Sequence, residues 1–157
     1  MAAGKWKVYA QAKVYLANGT HDLDDTTNWK IALFLSTSNA NNLGVGTGVF
    51  GDLTNEHAAA NGYPAGGASV AGETFTQAAG VGTFDSADAS YTASGGSIQA
   101  RYAVMYRNAT VNGIVKPLLA VCLLDTTPAD IVVADGVTFT LVMNAAGLFT
   151  LSGATVD

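Results

Sequence analysis

The chain has 157 residues, a formal charge of −5 and only 12% charged side chains. That length suits one domain with a substantial core. Its seven basic residues are scattered rather than clustered, which excludes nucleic acid as an expected partner, and no apolar run approaches the roughly 20 residues of a membrane-crossing helix.

Soluble domains usually carry about 25% charged residues, so much of this surface is expected to be small and neutral. A subunit packed against neighbours has such a surface. The single cysteine, Cys122, lies in the most apolar run and reads as a small buried hydrophobe, with no intramolecular disulfide to form. No apolar segment of signal length stands at the amino terminus, so synthesis and function without export are expected.

In chain order, residues 5–16 admit two periods. Val8, Ala12, Tyr15 and Leu16 make a helical stripe, whereas Trp6, Val8, Ala10, Ala12 and Val14 alternate as in a strand. A short helix is the preferred reading, with Asn18 and Gly19 as its stop. Residues 22–28 are a polar connection. Residues 29–35 place Trp29, Ile31, Leu33 and Leu35 at alternate positions and predict a strand.

Residues 36–72 are Gly-rich and show little periodicity, with a short helix or turn available over 53–60. A connection this long suggests a functional loop, and 39–72, together with 1–20, is expected to supply interface arms. It contains neither Gly-rich phosphate-binding motif. Asp85 and Asp88 suit turn caps, and neither they nor Asp22, Asp24 and Asp25 make a full calcium loop.

Residues 98–107 alternate again, with Ile98, Ala100, Tyr102, Val104 and Tyr106 on one face. Residues 114–124 are almost continuously apolar, so the two segments predict a central antiparallel pair with Pro117 at a strand start or bulge. Further extended pieces follow at 131–134, 137–143 and 148–151, separated by turn residues. Together they predict a mainly β single domain over 1–157. The expected form is an antiparallel β-sandwich or barrel, jelly-roll-like, with one or two short helices and a long Gly-rich loop.

Chemistry is thinly represented. His21 and His57 are the only histidines, and a zinc site would need help from residues such as Asp24 or Glu56. No nucleophile elbow is present, and Cys122 is badly placed for exposure. The expectation is therefore no enzyme, no metal and no cofactor. The candidate interface residues are Trp6 and Tyr63, aromatics in irregular segments, and Arg101 and Arg107, on the polar register of the central strand. Trp29 and Tyr91 read as core or loop-packing aromatics. The Asn18–Thr20 and Asn108–Thr110 glycosylation patterns are treated as chance matches in turns.

Several of these segments, taken in order, carry a resemblance. The strand at 29–35 is followed by a Gly-rich connection containing Gly62, Tyr63, Pro64, Gly66 and Gly67. Then come Phe84 to Asp88, the alternating run 98–106, Pro117 to Ala120, Gly136 to Thr140, and Gly147 with Leu148. Over residues 29–151 this pattern resembles small structural proteins of tailed bacteriophages, described as capsid decoration (cement) or minor virion proteins. The insertion from Asn39 to Gly62 departs from it.

The resemblance implies a virion protein made in the host cytoplasm and placed on the outer capsid surface. It implies the major capsid protein and neighbouring copies as partners, a trimer being one arrangement, and no catalytic residue. Many copies would brace the shell through repeated shallow contacts. Two alternatives stand beside it: a minor tail or baseplate structural protein, and a carbohydrate-binding β-sandwich module.

Overall fold

The structure is a computed structural model that describes residues 4–127 and 129–153. It is mainly β, with 38% strand and 7% helix. The first half of the chain contributes β1 (Lys7–Val8), α1 (Ala10–Ala17), β2 (Trp29–Phe34), a 3-10 turn (Phe50–Asp52), β3 (Ala68–Ser69) and β4 (Thr74–Ala78). Next come β5 (Val81–Asp85), β6 (Ala89–Thr92), β7 (Ile98–Ala100), β8 (Tyr102–Arg107) and β9 (Thr110–Val111). The described chain finishes with β10 (Ile114–Val115), β11 (Leu118–Leu123), β12 (Ile131–Val133), β13 (Thr138–Leu141) and β14 (Phe149–Ser152).

The main sheet has five strands in the order β1-β11-β8-β2-β3, all antiparallel. Its middle strand, β8, pairs with β11 on one side and β2 on the other, as the two apolar runs predicted. Both registers of β8 are buried, since Ala103, Val104, Met105 and Tyr106 have no exposed surface. This corrects the expectation of one strand over 98–107 with a single buried face. The chain breaks at Arg101, whose N–H donates to Phe34 O while its carbonyl accepts from Leu124 N. As a result β7 leaves the main sheet and pairs with β12.

Pro117, which has no N–H to give to a ladder, stands immediately before β11, and the register shifts between Leu118 and Ala120. The run 114–124 is divided there. Its first residues form the β9–β10 hairpin, closed by Asn112 and Gly113 at φ 50° and 78°, a pair that suits a two-residue turn.

The short helix falls at Ala10–Ala17 and ends at Asn18. It buries Ala12 and Tyr15, and tyrosine hydroxyls tie it down. Tyr9 donates to Ala40 O (2.6 Å) and Tyr15 to Thr47 O (2.7 Å). The long loop is thereby part of the core, and Ala40, Val45, Tyr63 and Val70 are all buried. The Asp52 carboxylate accepts from the N–H groups of Thr47 and Val49, and the 3-10 turn falls just before the helix or turn anticipated over 53–60. Of the expected interface arms, 4–20 and 39–72 are tied to the body of the fold by backbone and side-chain hydrogen bonds, and residues 1–3 lie outside the described residues.

Three smaller sheets, β4-β5-β14, β6-β13 and β7-β12, complete the sandwich-like arrangement. Phe84 of β5 meets Trp29 of β2 at 5.9 Å between ring centres, and the Tyr91 hydroxyl of β6 donates to Ile31 O. Where β3 joins β2 the backbones nearly touch. A Cβ on Gly67 would lie 1.9 Å from Ile31 O, and its φ is +79°, so glycine is required there.

Candidate functional site

Two of the smaller sheets divide aromatic from hydroxyl side chains by face. On β4-β5-β14 the cross-strand partners Phe75, Phe84 and Phe149 form one row, and the next row, on the opposite face, is Thr76, Thr83 and Thr150. The same division recurs on β6-β13. Tyr91 pairs with Phe139 and Ala89 with Leu141, while Thr92 and Ser90 face Thr138 and Thr140 at hydroxyl separations of 2.9 and 3.0 Å. The aromatic row points at the core, as Phe84 with no exposed surface and Tyr91 at 2% show. The outer faces are consequently covered with hydroxyls, and Ser90, Thr92, Thr138 and Thr140 are exposed.

A cleft of about 570 Å³ opens beside these faces, between the amino-terminal segment and the last two strands. Its lining includes Lys5, Trp6, Phe139, Val142, Phe149 and Thr150. Lys5 is its one charged side chain among the described residues, so the cleft suits apolar and hydroxyl contacts rather than proton transfer. Val132, Val137, Val142 and Leu151, exposed by 62%, 50%, 67% and 41%, add apolar surface to the C-terminal strands and their flanks.

The four residues singled out from sequence are separated by the fold. Trp6 is partly buried and borders the cleft. Tyr63 is a core residue at 3% exposure, stacked on Tyr91 at 5.8 Å with His57 edge-on at 5.2 Å. Its hydroxyl accepts from Leu33 N (2.9 Å) and donates to Glu56 Oε1 (2.8 Å), and burial pushes its pKa far up. A surface anchor at Tyr63 is therefore corrected to an internal strut. The polar groups of a long loop need such a bridge when they are packed against a sheet.

Arg107 is likewise internal. It is 7% exposed, paired with Asp25, and its guanidinium carbon lies 5.6 Å from the centre of the Trp29 ring. The candidate interface position of Arg107 on the polar register is therefore replaced by an internal one, because its partner is supplied by the 22–28 turn of the same chain. Arg101 remains partly exposed, and its Nη1 donates to Ala129 O at 2.9 Å, holding the loop before β12.

The remaining titratable groups have local roles. His21 is 4% exposed, stacks on Trp29 at 5.5 Å and places Nε2 2.8 Å from Leu118 O. Burial pulls its pKa down to about 4; the Leu118 contact opposes this and the Arg107 charge adds to it. Cys122 is buried, and burial pushes its thiol up to about 11. Asp85 and Asp88 accept from Ser86 N and Met143 N, as turn and loop caps do. Among the described residues, no three His, Cys, Asp or Glu side chains converge on a metal position.

The hydroxyl face was not recognised as a site from sequence alone. Its signal is the repeated Thr-Phe-Thr at 74–76 and 138–140, in which alternation places one aromatic inward between two outward hydroxyls.

No protein-family model matches the chain, no curated protein matches it, and no solved structure matches it.

Proposed function

We propose that this protein is a capsid decoration (cement) protein of a tailed bacteriophage, binding the outer face of the major capsid lattice and stabilising the shell. The observation that carries the reading is the hydroxyl-rich outer face of β4-β5-β14 and β6-β13, where threonines and serines predominate and Asp85 is the one charged residue of the strands on that face. Such a face fits broad, shallow contacts with low desolvation cost, since hydroxyls are cheaper to strip of water than charges. Each contact is weak, and repetition over a lattice makes the sum large. The ordered resemblance over residues 29–151 supports the same assignment.

A carbohydrate-binding role is the second reading, favoured by Trp6 at a cleft that also contains Thr140 and Thr150. An aromatic body beside hydroxyls suits a sugar ring.

Purified shells lacking this chain, incubated with it and imaged by electron cryo-microscopy, separate the readings. Regular added density on the outer lattice is expected, and Thr140→Arg together with Thr83→Arg should abolish it while leaving the fold intact. Binding confined to tails would replace the proposal by a tail or baseplate role. Saturable binding to an oligosaccharide array, lost in Trp6→Ala and without affinity for shells, would replace it by the carbohydrate reading.

A further inference from the structure

We infer that β4 is a pairing edge for a second copy of this chain, the two β4 strands joining antiparallel about a twofold axis at Thr76. The strand lies at the edge of β4-β5-β14, and four of its five residues, Thr74, Thr76, Gln77 and Ala78, are exposed. All five are in continuous register with β5, from Thr74 opposite Asp85 to Ala78 opposite Val81. Ala79 and Gly80, at φ 49° and 81°, close the hairpin as a two-residue turn. The closing pair of such a hairpin exchanges both hydrogen bonds and the pattern then alternates, so Thr76 and Thr74 also bond inward. The backbone groups of Phe75 and Gln77 are left facing out.

Those groups are spaced for their own copy. With Thr76 opposite Thr76, Phe75 of each chain faces Gln77 of the other, and each such pair exchanges two N–H to carbonyl bonds. The threonine row Thr150, Thr83, Thr76 then runs on into the same row of the second chain. Thr-Thr neighbours are favourable cross-strand pairs, and no like charges meet, because Thr-Phe-Thr-Gln-Ala carries none.

Most other edges of the described chain are guarded or short; β6 and β13, uncharged edges of their own two-stranded sheet, are each one residue shorter than β4. The two-residue β1 contains Lys7 and follows Lys5, β3 has two residues, and β12 has three, set between Asp130 and Asp135. β14 borders the cleft with Trp6. An uncharged, regular edge without proline or bulge is what natural sheets otherwise avoid exposing. An isologous pair covers it with the one strand whose sequence is certain to match.

This pairing does not depend on the capsid reading and is tested without capsids. Analytical ultracentrifugation of the full chain over a concentration series should reach twice the chain mass of 16.0 kDa. Thr76→Lys, an exposed change that places two ammonium groups face to face, should return the mass to that of one chain with an unchanged circular dichroism spectrum. Thr76→Glu should do the same, and mixing the two variants should restore the dimer. Gln77→Pro, which deletes an outward N–H and leaves the β4–β5 ladder whole, should also abolish it. A parent that stays monomeric or forms trimers, or a dimer that survives Thr76→Lys and Gln77→Pro, overturns the proposal.

Discussion

The guanidinium of Arg107 pairs with the carboxylate of Asp25 across 82 residues of chain, closing the 22–28 turn onto the end of β8. The Arg107 side chain is 8% exposed and that of Asp25 is 28%, so one charge is buried and the other still meets water. Asp25→Ala should destabilise the fold by about 2 kcal/mol, because it strands a buried cation, and less than a fully buried pair would lose. Arg107→Met keeps an apolar stem over Trp29 and should cost less. Urea midpoints measure both, and an unchanged midpoint for Asp25→Ala would refute the role given to the pair.

His21 makes stability depend on pH. A carbonyl only accepts, so Nε2 carries a proton toward Leu118; burial keeps the ring neutral, and Nδ1 is buried without a partner. The unfolded chain takes up this proton near pH 6.5 and the folded chain only near pH 4. Between those values the unfolded state binds more protons, and stability falls as pH falls. The loss should approach the order of 3 kcal/mol by pH 4. His21→Phe should be weaker at pH 7 yet show a shallower decline in urea titrations at pH 7, 5.5 and 4.5. A parallel decline would assign the acid sensitivity elsewhere.

Glu73 works in the opposite direction. It is 2% exposed, neither carboxylate oxygen has a hydrogen-bond partner, and burial together with the Asp25 charge pushes its pKa up, against its own backbone N–H. A raised folded value favours the folded state at low pH, and that advantage is lost as pH rises through it. Glu73→Gln should therefore be more stable than the parent at pH 7, by about 1 kcal/mol, with the gain gone below the usual carboxylate range. Thermal melts at pH 7 and pH 3.5 check both halves. A destabilised Glu73→Gln at pH 7 would mean that the carboxylate has a favourable role.

Tyr63→Phe removes one oxygen and orphans two groups. Leu33 N–H loses its acceptor near the end of β2, and Glu56 loses a donor, keeping Gly66 N at 2.7 Å. A loss of about 2 kcal/mol is expected, most of it from the buried amide. Faster hydrogen exchange at Leu33, read by nuclear magnetic resonance, should accompany it. Unchanged protection there would place the strength of the loop attachment in packing alone.

Strand periodicity was legible because burial on a sheet follows a local rule. The strands within 29–35 and 137–143, the apolar run around Cys122, and the stop at Asn18 needed only neighbouring residues to be read, whereas the expected pairing of 98–107 with 114–124 holds only for 102–106 with 118–123. The long loop was not legible in that way. Its order comes from single hydroxyls and carboxylates, Tyr9 to Ala40, Tyr15 to Thr47 and Asp52 to its own turn, and these leave no period in the sequence.

A mainly β fold could be read from residue order alone, since residue type and a two-residue period decide which side of a strand meets water. That Arg107 and Tyr63 face inward, that the chain changes sheets at Arg101, and that Thr76, Thr83 and Thr150 share one face of a sheet follows from long-range contacts. A buried charge is tolerable only where a counter-charge arrives from elsewhere, and a sheet edge is free only where no other segment covers it. Both depend on contacts between residues many positions apart.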